Sequence, residues 1–265
     1  MEGIALGPLL LRWNGVFIAL GVAAGTLLFA FEVRRRNEDP EIVYHLFMPM
    51  LGWGLIGARL WHIFTPPLSS VQLGLTAQYY LSHPLDMLSV WIGGLGLPGA
   101  LLGGCLALLY MSSKYELPFW LLTDMAAPGI ALAQAIGRLG NYFNQELYGL
   151  PTSLPWGIFI DPAHRLSGFE QADFYHPLFA YESVLSFLNL ALLLWLARKK
   201  LDELRPGEIF LSFLLLYSFE RFLLEFLRLD VALVNGMNAN QAFFSLLFIL
   251  AGGAFFMGRL RKPEL

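Results

Sequence analysis

Apolar segments of about twenty residues recur along nearly the whole chain, and each is long enough for a helix that crosses a bilayer. Hydrophobic residues make up 57% of the 265 residues and charged residues 14%, which is more apolar surface than a soluble core can bury. We therefore predict an all-α polytopic membrane protein with about seven transmembrane helices, forming one membrane domain over residues 1–265. The apolar windows lie at residues 9–31, 43–64, 85–111, 118–138, 177–197, 207–227 and 239–258.

The positions of Lys and Arg predict how these helices are oriented, because positive residues favour the cytoplasmic ends of membrane helices. They cluster after every second window, which puts the N-terminus outside and the C-terminus in the cytoplasm. The outer face then carries the connections 65–84, 139–176 and 228–238. The clusters are Arg34, Arg35 and Arg36; Lys114; Arg198, Lys199, Lys200 and Arg205; and Arg259, Arg261 and Lys262.

Residues 139–176 form the longest connection, and we expect them to build a small outer head domain of mixed structure. Within this connection, the short apolar run 156–161 between turn-forming residues predicts a strand. The first apolar segment is expected to remain as an anchor. Its positive cluster follows the apolar stretch and no Ala-x-Ala cleavage pattern comes after it.

A run of polar and glycine residues stands at the boundary of the fourth window, where polar groups are costly. Its Arg offers a planar fork suited to a phosphate, its Asn and Glu side chains can orient that fork, and two of its Gly residues permit a turn or a close approach to a ligand. An interfacial helix cap is the alternative, although a cap needs only one or two such residues. The run contains Gly137, Arg138, Gly140, Asn141, Asn144, Glu146 and Gly149.

Ionisable residues also fall inside the predicted spans, where each costs about 3 kcal/mol unless it is paired or lines a cavity. Arg221 and Glu225 share one helix face, with Arg228 a turn further along. We expect Arg138 and Arg221 to converge on a water-accessible cavity near the outer surface that holds one phosphodiester, with Glu225 holding an Arg in place. The alternative is Arg–Glu pairing that only fixes helix packing. The six residues are Arg59, Asp124, Glu182, Glu220, Arg221 and Glu225.

Other polar residues are possible auxiliaries rather than primary candidates. His176, Tyr181 and Glu182 lie at the outer start of the fifth window, where His176 is either a site residue or only interfacial. His62 is either a hydrogen-bonded core histidine or an auxiliary. No metal site or cofactor is expected, because the five His residues are not at ligand spacing. Cys105 is the single cysteine, which excludes a disulfide and indicates a buried, inert thiol.

A second irregular region, residues 93–104, places six Gly and one Pro inside the third window. A continuous helix there would lose about 1 kcal/mol per Gly and about 3 kcal/mol at Pro98 relative to Ala. We expect a broken or re-entrant start to this span, with Gly99 and Gly103 allowing close helix contact afterwards. A tightly packed interface without a ligand is an equal alternative.

These motifs resemble those of the bacterial prolipoprotein diacylglyceryl transferases. The run from Gly137 to Gly149 matches the family signature, and the resemblance extends along nearly the whole chain. Three further elements match: His176-Pro177 with Tyr181-Glu182, Arg221 to Glu225 with Phe226 and Arg228, and Gln241 at the opening of the last span. The resemblance implies seven spans with the N-terminus outside, in the cytoplasmic (inner) membrane of a bacterium.

The resemblance also implies an activity. The enzyme would take the diacylglyceryl group from phosphatidylglycerol and join it by a thioether to the lipobox cysteine of a preprolipoprotein signal peptide, releasing glycerol phosphate. Its partners would be these two substrates and membrane lipids, with no nucleic acid. Arg138 and Arg221 would stabilise charge on the leaving phosphate. The head group would be bound by Arg138, Asn141, Asn144, Glu146, Gly149 and Glu225, with Arg59, His62, His176, Tyr181, Glu182 and Gln241 as possible auxiliaries.

The chain departs from the family pattern at two places. The family's His-Gly-Gly reads Pro98-Gly99-Ala100 here, and its Trp-Tyr-Gly reads Trp13-Asn14-Gly15. The thiol is then activated by the two Arg residues with water, or His62 or His176 substitutes, or the chain is a divergent relative with another acceptor or no activity. A lipid or anion transporter is the alternative of a different class, since it would bind phosphatidylglycerol without consuming it.

Overall fold

The fold is known from a computed structural model that describes residues 3–6, 9–89 and 94–260, and these residues are mostly helical. The helices are α1 (Trp13–Arg35), α2 (Glu41–Phe64), α3 (Leu68–Gln72), α4 (Ala77–Ser82), α5 (Pro84–Met87), α6 (Leu97–Lys114), α7 (Phe119–Asn144), α8 (Leu178–Lys199), α9 (Glu208–Leu224) and α10 (Ala239–Leu260). The strands form three antiparallel pairs: β1 (Gly3–Leu6) with β2 (Leu9–Arg12), β3 (Ile158–Phe159) with β4 (Phe174–Tyr175), and β5 (Leu233–Val234) with β6 (Met237–Asn238).

Each predicted apolar window overlaps one of the long helices α1, α2, α6, α7, α8, α9 and α10. In the described part of the chain, α1, α7, α8 and α10 are long and apolar enough to cross a membrane. The prediction of a helical, multi-pass membrane protein is therefore confirmed, whereas the count of seven spans and their orientation stay predictions. Arg261 and Lys262 of the last positive cluster lie outside the described residues.

Glycines allow the helices to pack closely in two pairs, α1 with α7 and α2 with α6. A Cβ atom on Gly25 of α1 would lie 2.5 Å from the carbonyl oxygen of Gly129 on α7, which leaves no room for a side chain. On α6, Gly99 meets the carbonyl group of Gly57 and Gly103 meets that of Trp53. The predicted close contacts at Gly99 and Gly103 are therefore confirmed.

The start of α6 is irregular, as its glycines predict. Gly96 is extended, its N–H donates to the Ala58 carbonyl at 2.8 Å, and the helix begins at Leu97. Arg59 fixes this connection because its guanidinium donates to three main-chain carbonyls, those of Asp86 (2.7 Å), Met87 (2.9 Å) and Gly94 (3.1 Å). Gly93, at the start of the predicted region, lies outside the described residues.

The connection between α7 and α8 begins later than its sequence predicts, because α7 continues to Asn144. Gln145 ends the helix in the left-handed conformation with φ 53°. Gly140 therefore does not form a turn; it lies within α7, where an added Cβ would sit 2.8 Å from Oδ1 of Asn14 on α1. The predicted strand over 156–161 is present but spans only β3. A small core of Tyr148, Ile160, Tyr175 and Leu229 lies beneath it.

Asp124, predicted as a functional candidate, has a structural role. Its Oδ2 accepts the N–H of Gly207 at 2.7 Å and its Oδ1 accepts that of Phe210 at 2.8 Å. These amides open α9, and the first amides of a helix have no partner within the helix itself. Asp124 on α7 therefore caps α9 and fixes the position of the helix that carries Arg221.

Candidate functional site

Glu182 is the centre of the candidate site because it binds two arginines from two other helices. Its Oε2 lies 2.6 Å from Nε of Arg138 on α7, and its Oε1 contacts Nη1 of Arg221 on α9. Glu182 lies on the second turn of α8, whose start is fixed at Pro177. The Ser183 hydroxyl donates to the Ala135 carbonyl at 2.7 Å and holds α8 against α7 beside this cluster.

The two arginines converge as predicted, and the group that they meet in the structure is the Glu182 carboxylate. The carboxylate of Glu182 occupies the place between them where the prediction put a phosphate. The Arg221 and Glu182 side chains are 4% and 3% exposed, whereas that of Arg138 is 25% exposed. An anion that enters from solvent therefore reaches Arg138 first and must compete with Glu182 for both arginines.

Glu225, directly after α9, extends this cluster. Its Oε2 lies 3.5 Å from Nη2 of Arg221 and 3.8 Å from Nη1 of Arg228, and its Oε1 accepts the amides of Asn238 (3.4 Å) and Asn240 (3.2 Å). The predicted contact between Glu225 and an Arg is present. Sequence reasoning missed the two Asn residues. They precede an apolar run, a position at which Asn is typical of a helix N-cap. This pattern could have indicated that the two Asn residues have a structural role at the start of α10.

Two of the predicted binding residues line a separate cavity of about 400 Å³ beyond the end of α7. Asn144 and Glu146 lie on its wall, and the Nδ2 atom of Asn144 is 3.4 Å from Oε1 of Glu146. Arg228 also lines this cavity, so it connects the cavity with Glu225 and the buried cluster. Among the described residues, Arg138 and Arg221 are not part of its wall. The predicted single site is thus divided into a buried cluster and this separate cavity.

Gly149 contributes through its backbone. Its N–H donates to the His176 carbonyl at 2.8 Å, and it forms a β-bridge with Arg228. An added Cβ would lie 2.7 Å from the Leu227 carbonyl oxygen and 3.0 Å from the Leu178 side chain. Glycine therefore brings the signature run against the segment after α9. Asn141 lies on the last turns of α7, half-buried, and its carbonyl accepts the N–H of Glu146 at 3.0 Å.

The auxiliary residues His176 and Tyr181 form one small group. Nδ1 of His176 lies 3.1 Å from the Tyr181 hydroxyl, which also accepts the indole N–H of Trp156 at 2.8 Å. Tyr181 directly precedes Glu182 on α8. This group therefore lies beside the cluster, and His176 is half-buried rather than freely interfacial.

The remaining auxiliaries lie apart from Glu182. His62 is buried on α2, edge-on to Tyr80, in the region where Arg59 holds the start of α6. Gln241 opens α10, where its N–H donates to Oδ1 of Asn238 at 3.1 Å. It also lines a second cavity of about 360 Å³ between α9 and α10, together with Phe222 and Phe226.

On the helices that carry the two arginines and Glu182, several buried polar atoms have no hydrogen-bond partner among the described residues. They include the Tyr217 hydroxyl, Oε1 of Glu220 and Nε of Arg221 on α9, Oε1 of Gln134 on α7 and Oδ1 of Asn189 on α8. Buried polar groups are nearly always hydrogen-bonded in folded proteins. Their clustering on the helices that carry Arg138, Glu182 and Arg221 marks this part of the interior as polar.

No group of His, Cys, Asp and Glu able to hold a metal ion is found among the described residues. Cys105 is a free, half-buried thiol on α6. The chemistry that the described site offers is therefore that of guanidinium, carboxylate, amide and hydroxyl groups. Two guanidinium groups from separate helices suit an anion with several oxygens, such as a phosphodiester.

Comparison with known proteins gives a family match and many similar sequences. The family model described as prolipoprotein diacylglyceryl transferase matches residues 2–258. The phosphatidylglycerol–prolipoprotein diacylglyceryl transferase of Synechococcus elongatus is 36% identical over 241 residues, which cover 90% of this chain and 80% of that protein. A second enzyme of this name from Streptomyces coelicolor is 38% identical over 259 residues (97% and 79%), and that of Halalkalibacterium halodurans is 34% identical over 263 residues (98% and 86%).

Proposed function

Because this chain belongs to the prolipoprotein diacylglyceryl transferase family, we propose that it transfers the diacylglyceryl group of phosphatidylglycerol to a prolipoprotein. We assign the site from the convergence of Arg138 and Arg221 on Glu182. We assign the donor phosphodiester to these two arginines, where it replaces the carboxylate as their common anion. Both arginines carry a fork that can bind two phosphate oxygens.

The acceptor in this proposal is the thiol of a lipobox cysteine in a signal peptide. The thiolate sulfur attacks the carbon of the diacylglyceryl group that is bonded to the phosphate oxygen. This carbon–oxygen bond breaks, and its electron pair stays on the phosphate oxygen. A thioether and glycerol phosphate are formed. Arg138 and Arg221 stabilise the charge that develops on the phosphate, and their positive field favours the thiolate over the thiol.

The cavity beyond the end of α7 fits the rest of the donor head group. Its wall combines the acceptor oxygens of Asn144 and Glu146 with the guanidinium of Arg228, which suits a glycerol with two free hydroxyl groups. Asn141 and Gly149 belong to the same signature run, and Glu225 orients Arg221 from the outer side. In this proposal the phosphate lies at the buried cluster and the glycerol extends into the cavity.

We place the protein in the cytoplasmic membrane of a bacterium, with the seven long helices as its spans. The support is the sequence pattern: Lys and Arg follow α1, α6, α8 and α10, and this end would face the cytoplasm. The N-terminus and the segment between α7 and α8 would then lie outside. The arginine cluster would lie near the outer leaflet, where phosphatidylglycerol and the signal peptide both reach it.

The test is transfer by the purified full-length protein in detergent with phosphatidylglycerol. A lipobox peptide is incubated with it, and a peptide with Ser in place of the Cys serves as the control. Mass spectrometry should find the diacylglyceryl adduct on the Cys peptide alone, with glycerol phosphate released in equal amount. Binding of phosphatidylglycerol without either product would favour a transporter, and an adduct on another acceptor would change the substrate.

A further inference from the structure

Glu182 is held by the same two arginines to which the donor phosphodiester is assigned. Its residue is 2% exposed, its Oε2 lies 2.6 Å from Nε of Arg138, and its Oε1 contacts Nη1 of Arg221. The buried Nε of Arg221 has no hydrogen-bond partner among the described residues, so this guanidinium can also bind an oxygen of a second anion. The carboxylate and a phosphodiester therefore compete for the same donors. In the proposed donor complex, Glu182 loses both of its ion pairs.

Glu182 differs in this respect from the other carboxylate that pairs with Arg221. Glu225 lies 3.5 Å from Nη2 of Arg221, but it also lies 3.8 Å from Nη1 of Arg228 and accepts the amides of Asn238 and Asn240. These partners remain when Arg221 turns to a phosphate. Among the described residues, Glu182 is the carboxylate whose ion pairs are all made with the proposed phosphate site.

The loss of both ion pairs changes what Glu182 can do chemically. A carboxylate without a cation in a region that excludes most water is costly, and binding a proton removes that cost. The acceptor of the proposed reaction carries such a proton, because a cysteine thiol is mostly protonated at neutral pH and reacts as the thiolate. Buried carboxyl groups act as general bases near neutral pH for the same reason. Donor binding therefore creates the proton acceptor that the thiol needs.

The charges of the site balance at each step when the thiol proton goes to Glu182. Before transfer, the guanidinium groups of Arg138 and Arg221 face two single negative charges, those of Glu182 and of the phosphodiester. The leaving glycerol phosphate is formed as a dianion. With Glu182 protonated, the two guanidinium groups again face two negative charges. If the proton passed to solvent instead, the site would hold one excess negative charge, which is costly where water is scarce.

We propose that Glu182 is a catalytic residue, the general base that takes the proton of the acceptor thiol, and that it is released for this task when a phosphodiester binds Arg138 and Arg221. The inference rests on the proposed transferase function. The S–H proton passes to the Glu182 carboxylate, the thiolate sulfur bonds to the diacylglyceryl carbon, and the bond from that carbon to the phosphate oxygen breaks. The proton then passes from Glu182 to the phosphate, which leaves as the glycerol phosphate monoanion. The carboxylate returns to the two arginines.

This arrangement makes activation of the thiol depend on the donor. While no phosphodiester is bound, Glu182 is paired with Arg138 and Arg221 and does not take a proton. A signal peptide that binds first therefore keeps its thiol protonated. The thiolate is formed only beside the lipid that it attacks.

The experiment compares a lipobox peptide that contains Cys with the same peptide that contains selenocysteine. A selenol is ionised at neutral pH, so the selenocysteine peptide does not need a base. The purified full-length protein in detergent is supplied with phosphatidylglycerol under reducing conditions, and mass spectrometry follows the adduct on each peptide. Glu182→Gln should lower the rate with the Cys peptide by about a hundredfold to ten-thousandfold, the usual contribution of a general base. It should lower the rate with the selenocysteine peptide by about tenfold or less, because no proton transfer is then lost.

Glu32→Gln is the matched control for Glu182→Gln. Glu32 is also a buried carboxylate between two arginines, Arg35 at 3.2 Å and Arg198, and neither belongs to the proposed phosphate site. Its replacement should keep the wild-type ratio of the two rates. This ratio does not depend on the fraction of folded protein, because both peptides report on the same sample. A purely structural role for Glu182 would slow both peptides by the same factor.

A binding measurement tests the competition between Glu182 and the donor. Isothermal titration calorimetry uses glycerophosphoglycerol, the soluble phosphodiester of the head group, as the probe. Glu182→Gln should bind it more tightly than the wild type by about tenfold or more, because a neutral amide competes less for the arginines and one hydrogen bond between charged groups commonly contributes this factor. Glu32→Gln should bind it as the wild type does.

Two results would overturn the proposal: an equal loss with both peptides in Glu182→Gln, or weaker binding of the phosphodiester by that variant. If Glu182→Gln does not fold, Glu182→Asp decides, because it keeps the charge and withdraws the carboxylate by one methylene group. Its loss should again be larger with the Cys peptide, and an equal loss would contradict the base. A loss confined to the Cys peptide in His176→Ala would assign the base to that histidine instead. Wild-type protein that transfers to neither peptide would contradict the transferase function itself, which is a separate result.

Discussion

Nε of Arg138 lies 2.6 Å from Oε2 of Glu182, and the arginine is a quarter exposed while the carboxylate is buried. The other carboxylate oxygen of Glu182 faces Arg221, which is almost fully buried. The pair is therefore asymmetric, with a partly exposed arginine that can meet a ligand and a buried one that cannot be reached without moving Glu182. Replacement of Arg138 therefore tests ligand binding more directly than replacement of Arg221.

Arg138→Ala should lower diacylglyceryl transfer by about a hundredfold, since the loss of a charged phosphate contact in a dry site costs about 3 kcal/mol. Arg138→Lys should recover only part of this loss, because lysine lacks the planar fork. Arg198→Ala is the matched control: Glu32, like Glu182, keeps a second arginine, Arg35 at 3.2 Å. Near-wild-type transfer by purified Arg138→Ala would remove Arg138 from the mechanism.

Glu182→Gln should lower stability as well as activity, because it leaves Arg221 buried with only the longer contact to Glu225. Breaking a buried ion pair on one side costs about 3–5 kcal/mol. Thermal unfolding in detergent should show a clear loss for Glu182→Gln and a smaller loss for Glu182→Leu combined with Arg221→Met, which removes both charges. If the double variant loses as much stability as the sum of the losses of Glu182→Leu and Arg221→Met measured singly, the two residues do not interact.

The sequence predicts which residues belong to this cluster better than it predicts the contacts between them. Helical spacing alone places Arg221 and Glu225 on one face, and their contact is present. That Glu182 binds both arginines depends on how α7, α8 and α9 approach one another. Helix periodicity contains no information on that approach.

Asp124 and Gly140 show the same limit. An acidic residue in an apolar window predicts function because burying an unpaired charge is costly. Asp124, however, accepts hydrogen bonds from the first amides of α9, which lie more than 80 residues further along the chain. Gly140 stands in a polar run typical of a turn, yet its role is contact between α1 and α7. In both cases the contacting residue is distant in sequence. The local pattern therefore indicates that the position is constrained, but it does not indicate which contact constrains it.

Gly140→Ala should destabilise the protein and Gly137→Ala should not, although both belong to the signature run on α7. An added methyl group at Gly140 would meet Cα of Asn14 at 2.9 Å, whereas one at Gly137 meets nothing within 4 Å. Overpacking of this kind costs about 1–3 kcal/mol, while Gly to Ala inside a helix otherwise gains about 0.5–1 kcal/mol. Melting temperatures of the two variants would decide, and equal values would refute the packing role of Gly140.

His176→Ala and His62→Ala should each lower transfer by about tenfold, through placement of neighbouring groups. His176 contacts Tyr181 beside Glu182, and His62 lies edge-on to Tyr80. Loss of a general base would cost two to four orders of magnitude. A loss of that size in one variant, with unchanged binding of phosphatidylglycerol, would identify that histidine as the base for the thiol.

The orientation of the chain predicts which exposed positions a membrane-impermeant thiol reagent can reach. Leu154 lies in the segment between α7 and α8, and Glu203 lies between α8 and α9 at the opposite end of α8; both are exposed. In a protein with Cys105 replaced by Ser, Leu154→Cys should be labelled in intact cells. Glu203→Cys should be labelled only after the cells are permeabilised, because Lys and Arg cluster at its end of the helices. Labelling of Glu203→Cys in intact cells would reverse the orientation and place the arginine cluster near the cytoplasmic leaflet, where a lipobox peptide outside the cell could not reach it.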